Sequence, residues 1–324
     1  MAPDNRLSVL AATICAGLIG LLAWIDWPHP VAHAARPAMP TPSAATHPAA
    51  PNRMIEWLAS RDGNPRTYQS GGVTVRLSTR PGEDGPIPVL QLTGPGGETL
   101  RFAGQEGLSD ASARFGVGRL DSRVAVPQVL FTSYSQGAHC CTQVTLFELV
   151  AGHWRTIDMQ SWDGEPLTNF PTDLDGDGVR DILMNDDRFG YAFASHAESL
   201  APVRIFNIVD GTFVDVSASP RYHAVFQRDL REAQTGCAEH SNGACAAFVA
   251  IAARLGRADW AWPIMLAGYD RHSDWTYPTD CRVPLDAQTA CPENQTITFR
   301  DMPQALSWFL RHNGYTRTLI APIR

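Results

Sequence analysis

From Thr67 to Val216 the chain is built from short β-rich runs with turn residues between them, and this punctuation limits the fold more than any other feature. Val73 to Leu77, Pro88 to Leu92, Val126 to Phe131, Val144 to Leu149 and Val203 to Ile208 have strand length and composition. Glycine and aspartate separate them at Gly82 to Gly85, Gly94 to Gly97, Gly152 and Asp210 with Gly211. Runs this short, with turns this frequent, predict an antiparallel β region. Within it, Val144 to Ile157 aligns with Val203 to Val216, keeping Val, Phe, Val and Gly in register. Leu120, Asp121 and the strand Gln128 to Phe131 stand before the first copy much as Leu174, Asp175 and Asp181 to Met184 stand before the second. The repeated unit is therefore a turn, a strand, a long connection and a hairpin, which suits stacked or radially arranged sheets. Only two copies are visible, whereas a closed propeller has roughly 4 to 8 blades, so a partial propeller or a sandwich is expected.

After Pro220 the pattern turns helical. Tyr222 to Ala233 predicts one helix. Ser241 or Asn242 can cap a second, with Ala244, Ala247, Phe248, Ile251 and Leu255 on one face and Gly256 ending it. Asp301 can cap a last helix carrying Leu306, Phe309 and Leu310, closed by Gly314. Pro263, Pro278, Pro284 and Pro292 are expected to separate these pieces. The fold class read from the whole is α+β: a mainly antiparallel β domain over 53–219, then a small disulfide-stapled α-helical domain over 220–324.

Ahead of both lies a leader. Leu7 to Ile25 carries no charged residue, a length between a signal-peptide core and a membrane helix, and Ala32, His33, Ala34 forms a small-x-small cleavage site. Residues 1–27 read as signal peptide or membrane anchor, and either implies export to the periplasm or beyond. Residues 28–52, rich in Pro, Ala, Ser and Thr, read as an extended tether. Export gives the cysteines their meaning. Of seven, Cys15 lies in the leader, and Cys140, Cys141, Cys237, Cys245, Cys281 and Cys291 form an even set, as in disulfide-bonded exported proteins. Cys237 with Cys245 and Cys281 with Cys291 are the natural local pairs. Cys140 and Cys141 pair with each other or elsewhere.

Composition removes several function classes. Every basic residue is arginine, so there is no Walker-A lysine, Schiff-base lysine or kinase strand lysine. A formal net charge of -7 without a basic cluster argues against nucleic-acid binding. No Gly-x-Ser-x-Gly elbow, His-Glu-x-x-His helix or Gly-x-Gly-x-x-Gly turn occurs.

The best-defined chemistry is the loop Asp173, Leu174, Asp175, Gly176, Asp177, Gly178, Val179, Arg180, Asp181. Carboxylates at loop positions 1, 3, 5 and 9, glycine at position 6 and the Val179 carbonyl at position 7 form an oxygen-only donor set of the kind Ca²⁺ takes. Position 12, a bidentate glutamate in an EF-hand, is Met184, and the β-like run Ile182 to Met184 follows in place of a helix, so the loop is not an EF-hand. It resembles the calcium loops of FG-GAP and VCBS-type repeats, in which an Asp-rich turn leads straight into a strand. The resemblance implies that Asp173, Asp175, Asp177, Val179 and Asp181 hold Ca²⁺ structurally. It further implies a domain that binds an envelope protein or glycan, with Asp121 marking a degenerate second copy.

Three other groupings offer chemistry. His139, Cys140 and Cys141 form either structural cystines or a redox or soft-metal site. Asp186 and Asp187 form a solvated turn, a second acidic site, or the acid pair of an envelope hydrolase. Trp260, Trp262, Trp275 and Tyr277 line a groove or fill a core, and Trp154 and Phe213, at matched repeat positions, are expected to pack. The leading expectation is an exported calcium-binding module without catalysis of its own.

Overall fold

The computed structural model describes residues 46–137, 141–164, 167–283 and 290–320. The leader 7–25, most of the tether, His139, Cys140 and Pro284 lie outside the described residues. The described residues belong to one compact unit, Ala44–Arg324. The chain enters as β1 (Thr46–Pro48) and β2 (Met54–Leu58), makes one helical turn, α1 (Ala59–Asp62), and continues through β3 (Arg66–Ser70), β4 (Val73–Pro81), β5 (Pro86–Thr93) and β6 (Thr99–Ala103). Next come β7 (Ser112–Gly118), β8 (Gln128–Tyr134), β9 (Thr142–Val150), β10 (His153–Trp162), β11 (Ile182–Asn185), β12 (Val203–Val209) and β13 (Thr212–Asp215). Helices α2 (His223–Ala238), α3 (Asn242–Arg254) and α4 (Ala258–Gly268) follow, then the short strands β14 (Asp280–Cys281) and β15 (Thr296–Ile297), and α5 (Met302–His312).

The strands form two five-stranded sheets, ordered β1-β3-β4-β5-β6 and β10-β9-β8-β7-β2, and a three-stranded sheet β11-β12-β13. All pairings in these sheets are antiparallel except that of β1 with β3. The stretch expected to extend the tether to residue 52 is thus already strand at Thr46.

Side-chain alternation stacks these sheets in layers. Val75, Leu77, Leu90 and Leu92 of the first sheet meet Phe115, Val117, Val129, Phe131 and Phe147 of the second in one core. The next residues along the same strands, Leu130, Val144 and Leu146, turn the other way and pack with Ile182, Met184, Phe206 and Ile208 of the third sheet. That explains why β8 is buried on both faces. Ile205 points away from Phe206 into a further core built with Phe226, Phe248, Leu306 and Leu310 of the helices. Sheet, sheet, sheet and helices form successive layers, so the third sheet joins the β region to the helical region.

The sequence repeat is structural. Each copy is three antiparallel strands, β8-β9-β10 and β11-β12-β13, and each ends in a two-residue hairpin. Ala151 (φ 50°) with Gly152 (78°), and Asp210 (49°) with Gly211 (76°), take the left-handed conformation that type I′ hairpins require.

The helical region carries both predicted caps, Ser241 accepting from the Ala244 amide (3.3 Å) and Asp301 from the Gln304 amide (3.0 Å). It differs from expectation at Pro263, which lies inside α4 and not in a connection. Cys237–Cys245 bonds the end of α2 to the start of α3, and Cys281–Cys291 closes the loop after β14.

Candidate metal centre

The aspartate loop connects β10 to β11 and is closed by a bridge between Thr172 and Asp181. A second bridge, Asp121 with Val179, joins it to the turn before β8, so the two copies of the repeated turn lie side by side. The Ser122 amide donates to the Gly178 carbonyl (2.9 Å) and the Arg180 amide to the Leu120 carbonyl (2.6 Å). Gly176 (φ 79°) and Gly178 (87°) occupy the left-handed region, which explains glycine at both positions.

Within this frame the aspartates fold the loop around themselves. The Asp173 carboxylate accepts from the Gly176 amide (2.8 Å) and the Gly178 amide (3.0 Å). Asp175 accepts from the Asp177 amide (3.2 Å), and Asp177 from the Val179 amide (2.8 Å). Oxygens of Asp173, Asp175 and Asp177 come within 4.8 Å of one another. Desolvation pushes the exposed Asp173 carboxyl up, but the Gly178, Gly176 and Asp177 amides and the Arg180 charge outweigh it and hold the group below the usual aspartate range. Like charges this close repel one another. Among the described residues the cation in ion-pair contact with them is Arg221, whose Nη1 lies 3.2 Å from Asp175 Oδ2 and 3.7 Å from Asp177 Oδ2. The three carboxylates form an oxygen-only donor set that fits a hard cation such as Ca²⁺.

Asp181, expected as a further ligand, has another environment. It is 1% exposed, and its carboxylate accepts from the Leu174 amide (2.7 Å), the Asn207 side-chain amide (3.1 Å) and the Tyr222 hydroxyl (2.6 Å). Burial, the hydrogen bond to Asp181 and its charge push the Tyr222 hydroxyl up, so it remains a proton donor throughout the physiological range. Val179 contributes its amide to Asp177 and its backbone to the bridge with Asp121. Asp121 pairs with Arg123 (2.7 Å), which holds its carboxyl low. Arg221 and Tyr222 had no sequence signal as site residues, because Tyr222 is 41 positions from Asp181 and reads only as the start of a helix.

The other candidates are accounted for as follows. Asp186 is fully buried and bound by Arg188 (Nε, 2.6 Å) and the Tyr315 hydroxyl (2.8 Å), so it is not a solvated turn but a tie to the end of α5. Asp187 lies apart from it, accepting from the Asp163 amide (3.3 Å), and burial plus the charges of Asp186 and Asp163 raise its carboxyl. Asp163 also meets His196 at 2.6 Å, a pairing that sequence reading missed. Cys141 is disulfide-bonded and so offers no thiolate. The aromatic residues do not form one groove. Trp262 and Tyr277 pack on the helical core, while Trp260 lies on the α4 surface beneath Arg257. Trp154 packs on the first core and Phe213 stacks on Phe206 (4.2 Å).

Fold and site together define a layered antiparallel β protein with an acidic loop at its junction with a disulfide-bonded helical region. Residues 222–314 match the family model of the sll0997 C-terminal domain. The chain is 30% identical over 281 residues to the uncharacterized protein y4bJ of Sinorhizobium fredii, an alignment covering 84% of this chain and 44% of that protein. It is 34% identical over 197 residues to the probable thylakoid lumen protein sll0997 of Synechocystis, covering 58% of this chain and 56% of that protein. The chain thus spans about half the length of these curated relatives. No solved structure matches it.

Proposed function

We propose that this protein is an exported, calcium-binding module of the periplasm or extracellular space that engages an envelope protein or glycan and has no catalysis of its own. The observation that carries the proposal is the convergence of Asp173, Asp175 and Asp177, whose oxygens lie within 4.8 Å of one another, with Arg221 paired to two of them. In this reading Asp173, Asp175 and Asp177 hold the ion, and Asp181 supports the loop from behind. The likeness to FG-GAP and VCBS loops supports calcium over other cations. Arg221 and Tyr222, which open the helical region, tie it to the loop through Asp175 and Asp181, and the Tyr222 contact leaves the three ion-holding carboxylates untouched.

The disulfides Cys237–Cys245 and Cys281–Cys291, of a kind that persists in oxidising compartments, and similarity to a probable lumen protein support export. Among the described residues no helix is long and apolar enough to cross a membrane, and the stretch 7–25 lies outside them. Isothermal titration calorimetry of the EDTA-treated chain tests the reading. Calcium should bind with one-to-one stoichiometry and magnesium far more weakly, and Asp175→Ala should abolish the calcium signal. A flat calcium titration removes the proposal.

A further inference from the structure

Four connections meet at the C-terminal end of β7: the turn at Pro51 and Asn52, the turn at Ser70 and Gly71, the loop from Arg119 to Pro127, and the stretch from Thr172 to Arg180. Between them lies a cleft of about 770 Å³, within the roughly 300 to 1,000 Å³ of pockets that hold small organic ligands. Val117 and Gly118 line it. The chain there is closely packed: a Cβ on Gly118 would meet Asn52 Oδ1 and come within 2.7 Å of the Phe170 ring, and one on Gly116 would come within 2.6 Å of that ring.

The charge of this cleft runs against that of the chain. The protein carries a formal net charge of -7, yet two arginines, Arg119 and Arg180, face the cleft against one acid, Asp173. Asp173 already accepts two loop amides. Both guanidiniums are set in place by carbonyls and not by carboxylates. Arg180 donates from Nε to the Arg119 carbonyl (2.9 Å) and from Nη1 to the Pro171 carbonyl (2.8 Å), and lies over the Phe170 ring (5.8 Å). Arg119 donates from Nη2 to the Ala125 carbonyl (3.1 Å). Neither forms an ion pair among the described residues, although the Arg180 charge also acts on Asp173. Asn52, Ser70, Ser122 and Thr172 also line the cleft, residue types whose polar side chains suit hydroxyl-bearing ligands.

We propose that this cleft binds an acidic saccharide, with the carboxylate of a uronic acid seated on Arg119 and Arg180 and the sugar hydroxyls on the surrounding amide and hydroxyl groups. A guanidinium presents planar paired donors that match a carboxylate. Phosphate sites add a nest of free backbone amides, but here the loop amides are taken: Gly176 and Gly178 by Asp173, and Asp177 by Asp175. The cleft therefore favours the carboxylate. The proposal requires no cation in the loop, although Asp173 belongs to both.

The test is calorimetric titration of the full chain with trigalacturonate, in EDTA and at low ionic strength, so that loss of the calcium reading leaves this result interpretable. Trigalacturonate should bind, and neutral galactotriose should bind at least tenfold more weakly. Arg119→Gln, an exposed position with one carbonyl contact, should weaken trigalacturonate about tenfold. Arg76→Gln, on exposed β4 surface outside the cleft, should leave it unchanged. Arg180→Gln should act as Arg119→Gln does, but it also loses two loop contacts, so Arg119→Gln is the deciding variant. No binding of trigalacturonate, equal binding of the neutral sugar, or an unaffected Arg119→Gln chain would each overturn the proposal. Displacement of trigalacturonate by equimolar inorganic phosphate would overturn the choice of a carboxylate ligand.

Discussion

Changing Tyr222 to phenylalanine isolates the contact that ties the acidic loop to the helical region. The ring stays and packs as before, while the hydroxyl that donates to Asp181 Oδ1 at 2.6 Å is removed. Asp181 keeps the Leu174 amide on one oxygen and the Asn207 amide on the other, so the carboxylate loses one donor of three. A hydrogen bond to a charged group contributes roughly 1.5 to 3 kcal/mol, and the burial of Tyr222 (4% exposed) and Asp181 (1%) places this one toward the upper end. In a domain of this size each kcal/mol shifts Tm by about 2 to 4 °C, so a fall of roughly 4 to 10 °C is expected. The assay is thermal unfolding followed by far-UV circular dichroism, with urea titration to check that the m-value is unchanged. Asp181→Asn and the double variant complete a cycle, and the two losses should be strongly non-additive. A Tyr222→Phe chain melting within 1 °C of wild type would show that the hydroxyl does not fasten the loop, and the account of the junction would fall.

Arg221→Ala removes the guanidinium facing Asp175 and Asp177; since Arg221 is exposed, the melting temperature without metal should hardly change, while calorimetry should show calcium affinity rising several-fold. Replacing both Cys237 and Cys245 by serine releases the bond between α2 and α3 and should lower stability by roughly 2 to 4 kcal/mol, read from urea titration under oxidising conditions. Asp187→Asn tests the raised carboxyl. Because the folded protein holds that proton more tightly than the unfolded chain, its contribution is most favourable at or below the usual aspartate range and declines as pH rises through the raised folded value. The stability difference between wild type and Asp187→Asn should shift in favour of the variant across that acidic window and then level off. A difference independent of pH would contradict the shift.

What was legible in the sequence was local. The hairpin turns at Ala151-Gly152 and Asp210-Gly211 announce themselves by residue type, Ser241 and Asp301 cap the helices they precede, and the paired cysteines are 8 and 10 positions apart. What was not legible depends on long-range packing. Strand β11 is legible through the repeat as the strand before the second hairpin, but nothing local shows that its sheet packs between the β core and the helices. Asp186 beside Asp187 looks like a solvated doublet, and only contact with Tyr315, 129 positions away, shows that it is buried. Helix α4 was hidden by Pro263, which ordinarily breaks a helix. In the loop, alternation placed Asp173, Asp175 and Asp177 together as expected. The environment of Asp181 depends on Asn207 and Tyr222, which no local pattern connects to it.

The central claim is a calcium ion held by the loop, and thermal melting of the full chain, oxidised, in EDTA and then in excess calcium, tests it most directly. At about 100 times Kd, binding to the native state adds about 2.7 kcal/mol. That should raise Tm by roughly 5 to 10 °C, and Asp175→Ala should lose the rise. A melting temperature that no divalent cation moves would contradict the claim and leave the loop as an acidic turn.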